Sequence, residues 1–383
     1  MDAELRQPLR RKGWRDRFRL LAPTPLRLAT VLVLITAFSM VVWLSRNYDP
    51  TLGEPVVHLK IEPAPVVATM PAAREEPPPD GAIDLFAEES PAAGTHPNDV
   101  IETETAVVVA PPVRLTPAPA RGFFENTPDG PLPKRSGDAR RPFDIYSRPA
   151  HPAVLQSSQP KIAILLGGMG LNEELTKRAL NELPEEITLA FAPYGQSLQK
   201  TINNARAQGH EVMLQLPMEP FGYPNQDPGP HTLLVSSTPT ATASSLSWLL
   251  SRFAGYIGVV NYLGARFTSE TTALAPVLQI LKDRGLVYLD DGSSARSVAE
   301  EVAVGIDLPL RQASLVIDAA NDFSSVSAKL QELEKLSRKG RIVIGVGTGF
   351  PATINAVENW AKGLRDRGVL LVPVSAAFRA PLG

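Results

Sequence analysis

The sequence has no cysteine, only five histidines and no excess of either charge. Without cysteine there can be no disulfide, no thiolate-bound zinc and no cysteine nucleophile, and such a chain suits an oxidising compartment. The 38 basic residues are balanced by 40 acidic ones, so the net charge at pH 7 is −2 in 383 residues. This balance gives no support for nucleic-acid binding, which needs a basic face.

The five histidines offer little material for a metal site. His58, His96 and His151 lie in a proline-rich stretch, and His210 precedes a predicted strand, at the end away from catalysis in a parallel barrel. His231, in the loop sequence PGPHTLL, either lines the mouth of a site or lies at the surface. His210 and His231 lack a metal-ligand spacing such as H-x-x-x-H, so a zinc site would need mostly carboxylate ligands.

A basic tail and an uncharged run begin the chain. The run at 28–44, LATVLVLITAFSMVVWL, would span about 25 Å as a helix, close to a thin hydrocarbon core of about 27–30 Å. Because basic flanks stay in the cytoplasm, we predict a cytoplasmic tail at 1–27, a transmembrane helix at 28–45 and a body across the membrane. No small-x-small cleavage site follows, which favours an uncleaved anchor over a signal peptide; the alternative is a buried helix of a soluble protein.

Residues 46–160 are predicted to form a disordered linker rich in proline and alanine. Of the 37 prolines, 21 lie between residues 50 and 160, in runs such as PAPVVATMPAAREEPPPDG. Proline at this density removes backbone donors and interrupts helices, so we expect no packed core here. The predicted role of the linker is to hold the following domain away from the membrane.

The remaining part, 161–383, alternates apolar β-type runs with helical patterns, which predicts an α/β domain with a parallel sheet. Seven or eight strands favour a barrel of the TIM type or a deformed relative. The predicted strands are 162–166, 187–191, 212–216, 257–261, 286–290, 314–317, 342–346 and 369–374. The predicted helices are 172–182, 198–208, 241–253, 270–283, 325–338 and 353–366.

A glycine-rich turn follows the first strand of this domain, in KIAILLGGMGL. The third position after Gly170 is Glu173, so the phosphate-binding pattern G-x-G-x-x-G is absent, and no Lys-Ser/Thr pair completes a P-loop. Gly167 and Gly168 are therefore predicted to make a tight turn in which glycine supplies a positive φ.

Carboxylates occupy better positions for chemistry, at the carboxyl ends of three predicted strands. Glu219 lies in LQLPMEP, Asp290 and Asp291 lie in VYLDDG, and Asp318 lies in LVIDAAND. This end carries the active face in barrels, and paired acids can serve as general acid and base. Glu219, Asp290 and Asp318 are our catalytic candidates; the alternative is that these acids are N-caps and loop anchors.

Further polar residues are predicted at the same face. Asn261 and Arg266, in NYLGARFT, follow the fourth predicted strand, and Arg266 can hold the carboxylate of a ligand or of an internal aspartate. Asp291 follows Asp290 directly, so the two side chains point in different directions. Asn261, Arg266 and Asp291 are therefore candidates for binding a substrate.

Six motifs occur in order along the domain: KIAILLGGMG, GHEVMLQLPMEP, PGPHTLL, GVVNYLGARFT, LVYLDDGSS and IGVGTGFPATI. This series resembles the divergent polysaccharide deacetylases over essentially all of 161–378. The resemblance implies the deformed (β/α) barrel of the NodB-like deacetylase and glycoside hydrolase superfamily. It also implies a bacterial, exported or membrane-anchored protein, and a superfamily chemistry in which a metal bound by Asp and His activates water against an N-acetyl group.

The sequence departs from the resembled family where metal ligands are expected. The family usually has two aspartates where this chain has Gly167 and Gly168, and histidines where it has Tyr262 and Thr348. Glycine offers no ligand, and tyrosine and threonine seldom bind zinc at neutral pH. We therefore expect no cofactor, and zinc only in a rearranged site; Thr348 joins the candidates for substrate binding.

Three functional hypotheses follow from the residues and the resemblance. The favoured one is a membrane-anchored, deacetylase-like protein that acts on or binds envelope polysaccharide or peptidoglycan, with weak or no catalysis because metal ligands are missing. The alternatives are an active metal-dependent N-deacetylase with a rearranged carboxylate site, and a structural scaffold that binds an envelope protein. The predicted location is the bacterial inner membrane, with a cytoplasmic N-terminus and a periplasmic C-terminal domain.

Overall fold

The computed structural model describes residues 113–380, which contain eleven strands and ten α-helices. The strands are β1 (Phe124–Thr127), β2 (Gly130–Pro133), β3 (Lys161–Met169), β4 (Thr188–Phe191), β5 (Val212–Met218), β6 (Gly258–Leu263), β7 (Val287–Asp290), β8 (Leu310–Gln312), β9 (Leu315–Val316), β10 (Val343–Thr348) and β11 (Leu370–Leu371). The helices are α1 (Pro142–Tyr146), α2 (Pro152–Gln156), α3 (Glu173–Glu182), α4 (Leu198–Ala207), α5 (Pro239–Leu250), α6 (Thr271–Asp283), α7 (Ala299–Ile306), α8 (Phe323–Ser337), α9 (Pro351–Lys362) and α10 (Val374–Arg379).

Strands β3 to β11 form one parallel sheet that curls. The strand order is β8-β7-β6-β5-β4-β3-β10-β9, and β11 pairs with the start of β3. The edge strands β8 and β9 are separated in sequence only by Ala313 and Ser314. The Ala313 amide donates to the Asp290 carbonyl at the end of β7 at 2.8 Å, and the Ser314 amide donates to the Ile344 carbonyl of β10 at 2.7 Å. The chain thus bridges the two edges, and the sheet forms an incomplete barrel.

Side chains of the strands alternate between two apolar layers. In β3, Ile162 and Ile164 belong to the cluster between the sheet and the helices, whereas Ala163 and Leu165 belong to the cluster enclosed by the sheet. Because strand residues alternate with a period of two, Gly167 is the next inward position. Burial on both faces explains the unbroken apolar runs in the sequence.

The structure corrects the predicted extent of the linker, because residues 113–160 are ordered against the barrel. Strands β1 and β2 pair as an antiparallel hairpin, and the Thr127 hydroxyl donates to the Ser251 hydroxyl after α5 at 3.3 Å. Phe143 and Tyr146 of α1 are buried in the enclosed cluster, where the Phe143 ring meets Phe378 of α10 edge to face at 6.0 Å. Burial of these aromatic side chains offsets the ordering of a proline-rich segment. The rest of the predicted linker lies outside the described residues.

Buried Glu211 connects this segment and α10 to the amino ends of the strands. Its carboxylate accepts hydrogen bonds from the Arg148 amide at 3.0 Å, the Thr188 hydroxyl at 3.1 Å and the Ser375 amide at 2.9 Å. Burial raises the pKa of Glu211, and these hydrogen bonds oppose that shift. The amino end of the barrel is therefore closed by the N-terminal segment and the C-terminal helix together.

The predicted α/β class and parallel sheet are confirmed, and each predicted strand and helix overlaps an observed one. The last predicted strand, 369–374, is wrong in length because α10 begins at Val374, and β8 and α7 were not predicted. The predicted tail at 1–27 and helix at 28–45 lie outside the described residues. Within 113–380, no helix is both long and apolar enough to cross a membrane.

Candidate functional site

All the candidate residues lie at the edge of the sheet where the strands have their carboxyl ends. Hydrogen bonds divide them into three groups, each of which joins different loops. The groups are Glu219 with Arg266, Asn261 with Asp291, and Asp318 with Thr348, whereas Asp290 binds only the loop that follows it.

Glu219 and Arg266 form a partly buried ion pair between the loops after β5 and β6. Glu219 Oε1 accepts from Arg266 Nη1 at 2.6 Å, and Oε2 accepts from the Val235 amide at 2.6 Å. The Glu219 side chain is 5% exposed, whereas the Arg266 side chain is 46% exposed. Both oxygens of the Glu219 carboxylate therefore accept hydrogen bonds from the loops. Part of the Arg266 side chain faces solvent, where a ligand can reach it.

Asn261 fixes the start of the loop after β7. Its Oδ1 accepts from the Asp291 amide at 2.9 Å, and its Nδ2 donates to the Leu263 carbonyl at 2.9 Å, so both ends of the amide bind backbone. Asp291 Oδ1 accepts from the Ser293 amide and hydroxyl at 2.9 and 2.7 Å. Burial raises the pKa of Asp291, and the hydrogen bonds from Ser293 and Asn261 oppose this shift.

Asp290 lies two positions after Tyr288 of the outer cluster, so it is on the outer face of β7, and it is 3% exposed. Its Oδ1 accepts from the Gly292 amide at 2.9 Å, and its Oδ2 accepts from the Ser297 hydroxyl. Both oxygens are thus bound to the loop that Asp290 begins. This arrangement is the loop-anchor alternative raised for the acids in the sequence.

Asp318 links β10 to α9. Its Oδ2 accepts from the Thr348 amide at 2.5 Å and from the Thr353 hydroxyl at 3.3 Å. Burial raises the pKa of Asp318, and these two hydrogen bonds oppose the shift. Thr348 pairs with Gly167 across the β10–β3 ladder, so this group lies beside the glycine turn.

The glycine turn is a bulge at the end of β3. Register against β4 shifts between Leu166 and Met169, and Gly168 has the predicted positive φ, +77°, whereas Gly167 does not. The predicted tight turn is wrong in position, because β3 continues through both glycines to Met169. The Gly168 amide donates to Gln215 Oε1 at 2.7 Å. A Cβ at position 167 would lie 2.4 Å from Gln215 Nε2, so the Gln215 amide covers the inward side of Gly167.

His231, for which the sequence left open a place at the mouth of a site or at the surface, lies against helix α5. Its ring stacks on Trp248 with centroids 3.9 Å apart and planes 10° apart. The Tyr194 hydroxyl donates to the neighbouring Pro230 carbonyl. These contacts hold the loop before Leu233 on the outer layer of the barrel.

Comparison with known proteins agrees with the motif order in the sequence. The family model described as divergent polysaccharide deacetylase matches residues 164–378, more than half of the chain. The chain belongs to this family. The resemblance stated from the sequence is thereby confirmed.

Three relatives of this deacetylase family member illustrate how far the similarity extends. An uncharacterized Agrobacterium tumefaciens protein of known crystal structure is 39% identical in sequence. Its structure matches this one with a TM-score of 0.62, covering 64% of this chain and 99% of that one. Escherichia coli YibQ is 22% identical over 236 residues, 61% of this chain and 73% of its own. An uncharacterized Haemophilus influenzae protein is 24% identical over 211 residues, 55% of this chain and 72% of its own.

The divalent metal that the superfamily implies does not fit the donors of this family member. Within residues 113–380, no three His, Cys, Asp or Glu side chains come close enough together to hold a metal ion. Glu219, Asp290 and Asp318 each bind different loops instead of converging beside Gly168.

Of the exposed aromatic side chains around this edge, only Tyr262 was named from the sequence, as a residue that replaces a family histidine. Phe221, Tyr262, Phe323 and Phe350 are 58, 42, 48 and 40% exposed, and each lies at or after the carboxyl end of a strand. In the sequence, these residues are visible only as single aromatics in loop motifs. We call these four side chains, which lie at or after the ends of four different strands of the sheet, the aromatic rim.

Gln215 was also missed, because one glutamine in an apolar strand looks like an ordinary packing residue. What could have identified it is a polar residue at an inward position of β5, two residues after Met213 of the enclosed cluster. The strand that it faces, β3, has two glycines near its end.

A separate cavity of about 420 Å³, lined by residues that include Arg114, Asp144 and Arg379, lies between the N-terminal segment and α10. It is remote from the carboxyl edge.

Proposed function

We propose that this protein binds an N-acetylated envelope glycan at the carboxyl edge of its barrel and does not depend on a metal-assisted hydrolysis. The observation that carries the proposal is the aromatic rim, four exposed rings at the edge where barrel proteins bind their ligands. Flat aromatic rings pack well against the apolar faces of sugars. The membership of the polysaccharide deacetylase family supports carbohydrate as the ligand class.

The hydrogen bonds of the carboxylates support the proposal of binding without metal catalysis. The two catalytic candidates with both oxygens hydrogen-bonded, Glu219 and Asp290, hold loops in place. A general acid or base must have a free position within reach of the substrate. Of the three catalytic candidates, Asp318 has the environment that best suits a general acid, since burial raises its pKa. Among the described residues, however, no carboxylate or imidazole groups join it in a cluster that could hold a metal ion.

The location is proposed from the sequence of the first 45 residues. A basic tail before an uncharged run of 17 residues favours an inner-membrane anchor with the tail in the cytoplasm. The domain would then lie in the periplasm, where the peptidoglycan glycan strands are. The proline-rich residues before 113 would give it reach from the membrane.

A binding experiment with rim variants tests this proposal. Full-length protein in detergent is titrated calorimetrically with the tetramer of N-acetylglucosamine, and metal content and acetate release are measured on the same sample. We expect saturable binding that Tyr262→Ala and Phe350→Ala each weaken about tenfold, equivalent to about 1.4 kcal/mol. Val304→Ala, at a side chain that is 76% exposed on α7, is the matched control and should have no effect.

The alternatives give different results in the same experiment. Stoichiometric zinc with acetate release that is lost in Asp318→Ala would establish the active deacetylase instead. Absence of glycan binding in the folded wild type would reject the proposal and leave the scaffold hypothesis.

A further inference from the structure

Charge is divided unequally between the two ends of the barrel. At the carboxyl edge, the stretches 219–238, 264–270, 290–298 and 318–322 at the ends of β5, β6, β7 and β9 contain seven acidic residues and two arginines. The N-terminal segment 113–160, which closes the amino end, instead contains seven basic and four acidic residues. A chain that is nearly neutral as a whole therefore has an acidic carboxyl edge and a basic amino end.

Arginines at the amino end lie in a connected row. The guanidinium groups of Arg141 and Arg379 lie over the same Phe143 ring, at 5.0 and 5.1 Å from its centroid. Arg135 and Arg141 both pack beside Gly285, where a Cβ would lie 3.1 Å from Arg135 Cγ and 2.9 Å from Arg141 Cβ. The row thus joins the N-terminal segment, the end of α6 and α10.

The cavity between the N-terminal segment and α10 continues this row. Arg114 and Arg379 line it, together with Asp144 and with Leu155, whose side chain is 38% exposed. Asp144 is paired with Arg141 at 2.8 Å, and neither Arg114 nor Arg379 forms an ion pair with a carboxylate of residues 113–380. The lining therefore has an excess of positive charge beside an exposed apolar group. We call Arg114, Arg135, Arg141 and Arg379 the basic patch.

The partner that matches the basic patch is a broad anionic surface near the start of the domain. Residue 113 lies beside the patch, so the chain that comes from the predicted anchor at 28–45 joins the barrel at its basic end. Anionic phospholipid surfaces attract clustered Lys and Arg, and each such residue near the surface raises the affinity about fivefold. A guanidinium binds phosphate with two hydrogen bonds, and an apolar side chain such as Leu155 can enter the headgroup layer.

We propose that the amino end of the barrel docks on an anionic phospholipid surface, with Arg114 and Arg379 binding lipid phosphates at the mouth of the cavity. The inference rests on the membrane anchor proposed above and is independent of glycan binding. Docking directs the carboxyl edge, at the opposite ends of the strands, away from the membrane. The acidic residues of that edge oppose the reverse orientation, because an anionic surface repels them.

Energy transfer from two labelled positions to the membrane tests the docking. Because the chain has no cysteine, Ser158→Cys at the amino end and Asn225→Cys at the carboxyl edge, both exposed, each accept one fluorophore. Full-length protein is reconstituted into vesicles with a headgroup-labelled acceptor lipid, either with phosphatidylglycerol or with phosphatidylcholine alone. We expect transfer from position 158 to be about twofold higher with phosphatidylglycerol, and to exceed transfer from position 225.

Salt and charge variants separate docking from simple tethering. A tether without docking would not distinguish the two lipids. In about 1 M salt, where the Debye length is about 3 Å, the phosphatidylglycerol effect should disappear. Arg114→Gln/Arg379→Gln should lower transfer with phosphatidylglycerol to the phosphatidylcholine level. Lys200→Gln/Lys329→Gln removes the same charge from exposed positions of α4 and α8 and should change nothing. If the arginine variant lowers the melting temperature, the salt series on the wild type decides.

The outcomes distinguish failure of docking from failure of the anchor. Transfer from position 158 that is equal in the two lipids, or transfer that is higher from position 225, would reject docking and leave glycan binding untouched. Wild-type transfer in the folded arginine variant would reject the role of Arg114 and Arg379. If the protein does not enter vesicles, the anchor fails. Flotation with phosphatidylglycerol vesicles alone would then still support docking, and flotation with neither lipid would reject it.

Discussion

Polar side chains at the carboxyl edge bind mainly to the loops that surround them. Both ends of the Asn261 amide and both oxygens of Asp290 bind neighbouring backbone or hydroxyl groups. Hydrogen bonds of this kind rigidify loops that would otherwise be mobile. At the scale of single residues, most of the candidates therefore hold loops in place, and Arg266 is the one whose charged side chain stays 46% exposed.

The Glu219–Arg266 ion pair should contribute to stability through its loops. We predict that Glu219→Gln and Arg266→Ala each destabilise the protein, with a coupling free energy of about 1–3 kcal/mol because the buried carboxylate would lose its partner. A double-mutant cycle in urea measures it. Coupling near zero would show that the two loops are held independently of this pair.

Asp318 should make stability depend on pH. Burial raises its pKa in the folded state, so its contribution to stability is fully present below the ordinary aspartate pKa of about 3.9 and is lost as pH rises through the raised value. Asn cannot ionise but keeps an acceptor for the Thr348 amide. The unfolding free energy of Asp318→Asn relative to wild type should therefore increase between pH 4 and pH 7.

Urea unfolding of both proteins at pH 4, 5, 6 and 7 measures this difference, with Asp366→Asn on the surface as the control for loss of a charge. A constant difference between Asp318→Asn and wild type across this range would contradict the raised pKa.

At the scale of elements, the N-terminal segment is held to the barrel by Arg206 of α4. This guanidinium donates to the carbonyls of Thr116, Tyr146 and Gly255 at 2.8 to 3.0 Å, and burial lowers the pKa of Arg206 to about 10. One side chain therefore joins the residues before β1, the end of α1 and the loop before β6. The amino end of the barrel depends on this contact.

Arg206→Met should destabilise the protein by about 3–5 kcal/mol, since it leaves three carbonyls without their buried donor. Urea unfolding measures the loss. Arg365→Met, at a side chain that is 86% exposed, is the matched control and should change stability by less than about 0.5 kcal/mol. A loss for Arg206→Met that is no larger than the control would mean that the segment is not part of the cooperative unit.

The strands of the barrel were easier to predict from the sequence than the segments that close its amino end and the contacts at its carboxyl edge. Strands such as β5 were recognisable because burial on both faces requires unbroken apolar runs. Residues 113–160 were misjudged because proline density was taken as disorder, although Pro142 and Pro152 stand at the first positions of α1 and α2, where proline is compatible with a helix. The contact of Gln215 with the glycine turn depends on long-range register between β3, β5 and β10, which local patterns do not contain.

At the scale of the whole molecule, the anchor proposed at 28–45 determines where the domain acts. We predict that full-length protein sediments with membranes in high salt, and that deletion of 28–45 releases it, because the run is the longest uncharged stretch in the N-terminal part. Protease added to spheroplasts should digest the domain. Sedimentation that does not depend on 28–45, or a domain protected in spheroplasts, would contradict the proposed topology.

In the proposed function, the carboxyl edge binds an N-acetylated glycan without a metal. This claim is tested most directly by titrating full-length protein with the N-acetylglucosamine tetramer before chelation, after chelation with EDTA and after zinc is restored, with acetate measured throughout. We predict the same Kd in all three conditions and no acetate release. Binding that is lost on chelation and returns with zinc, together with released acetate, would contradict the claim.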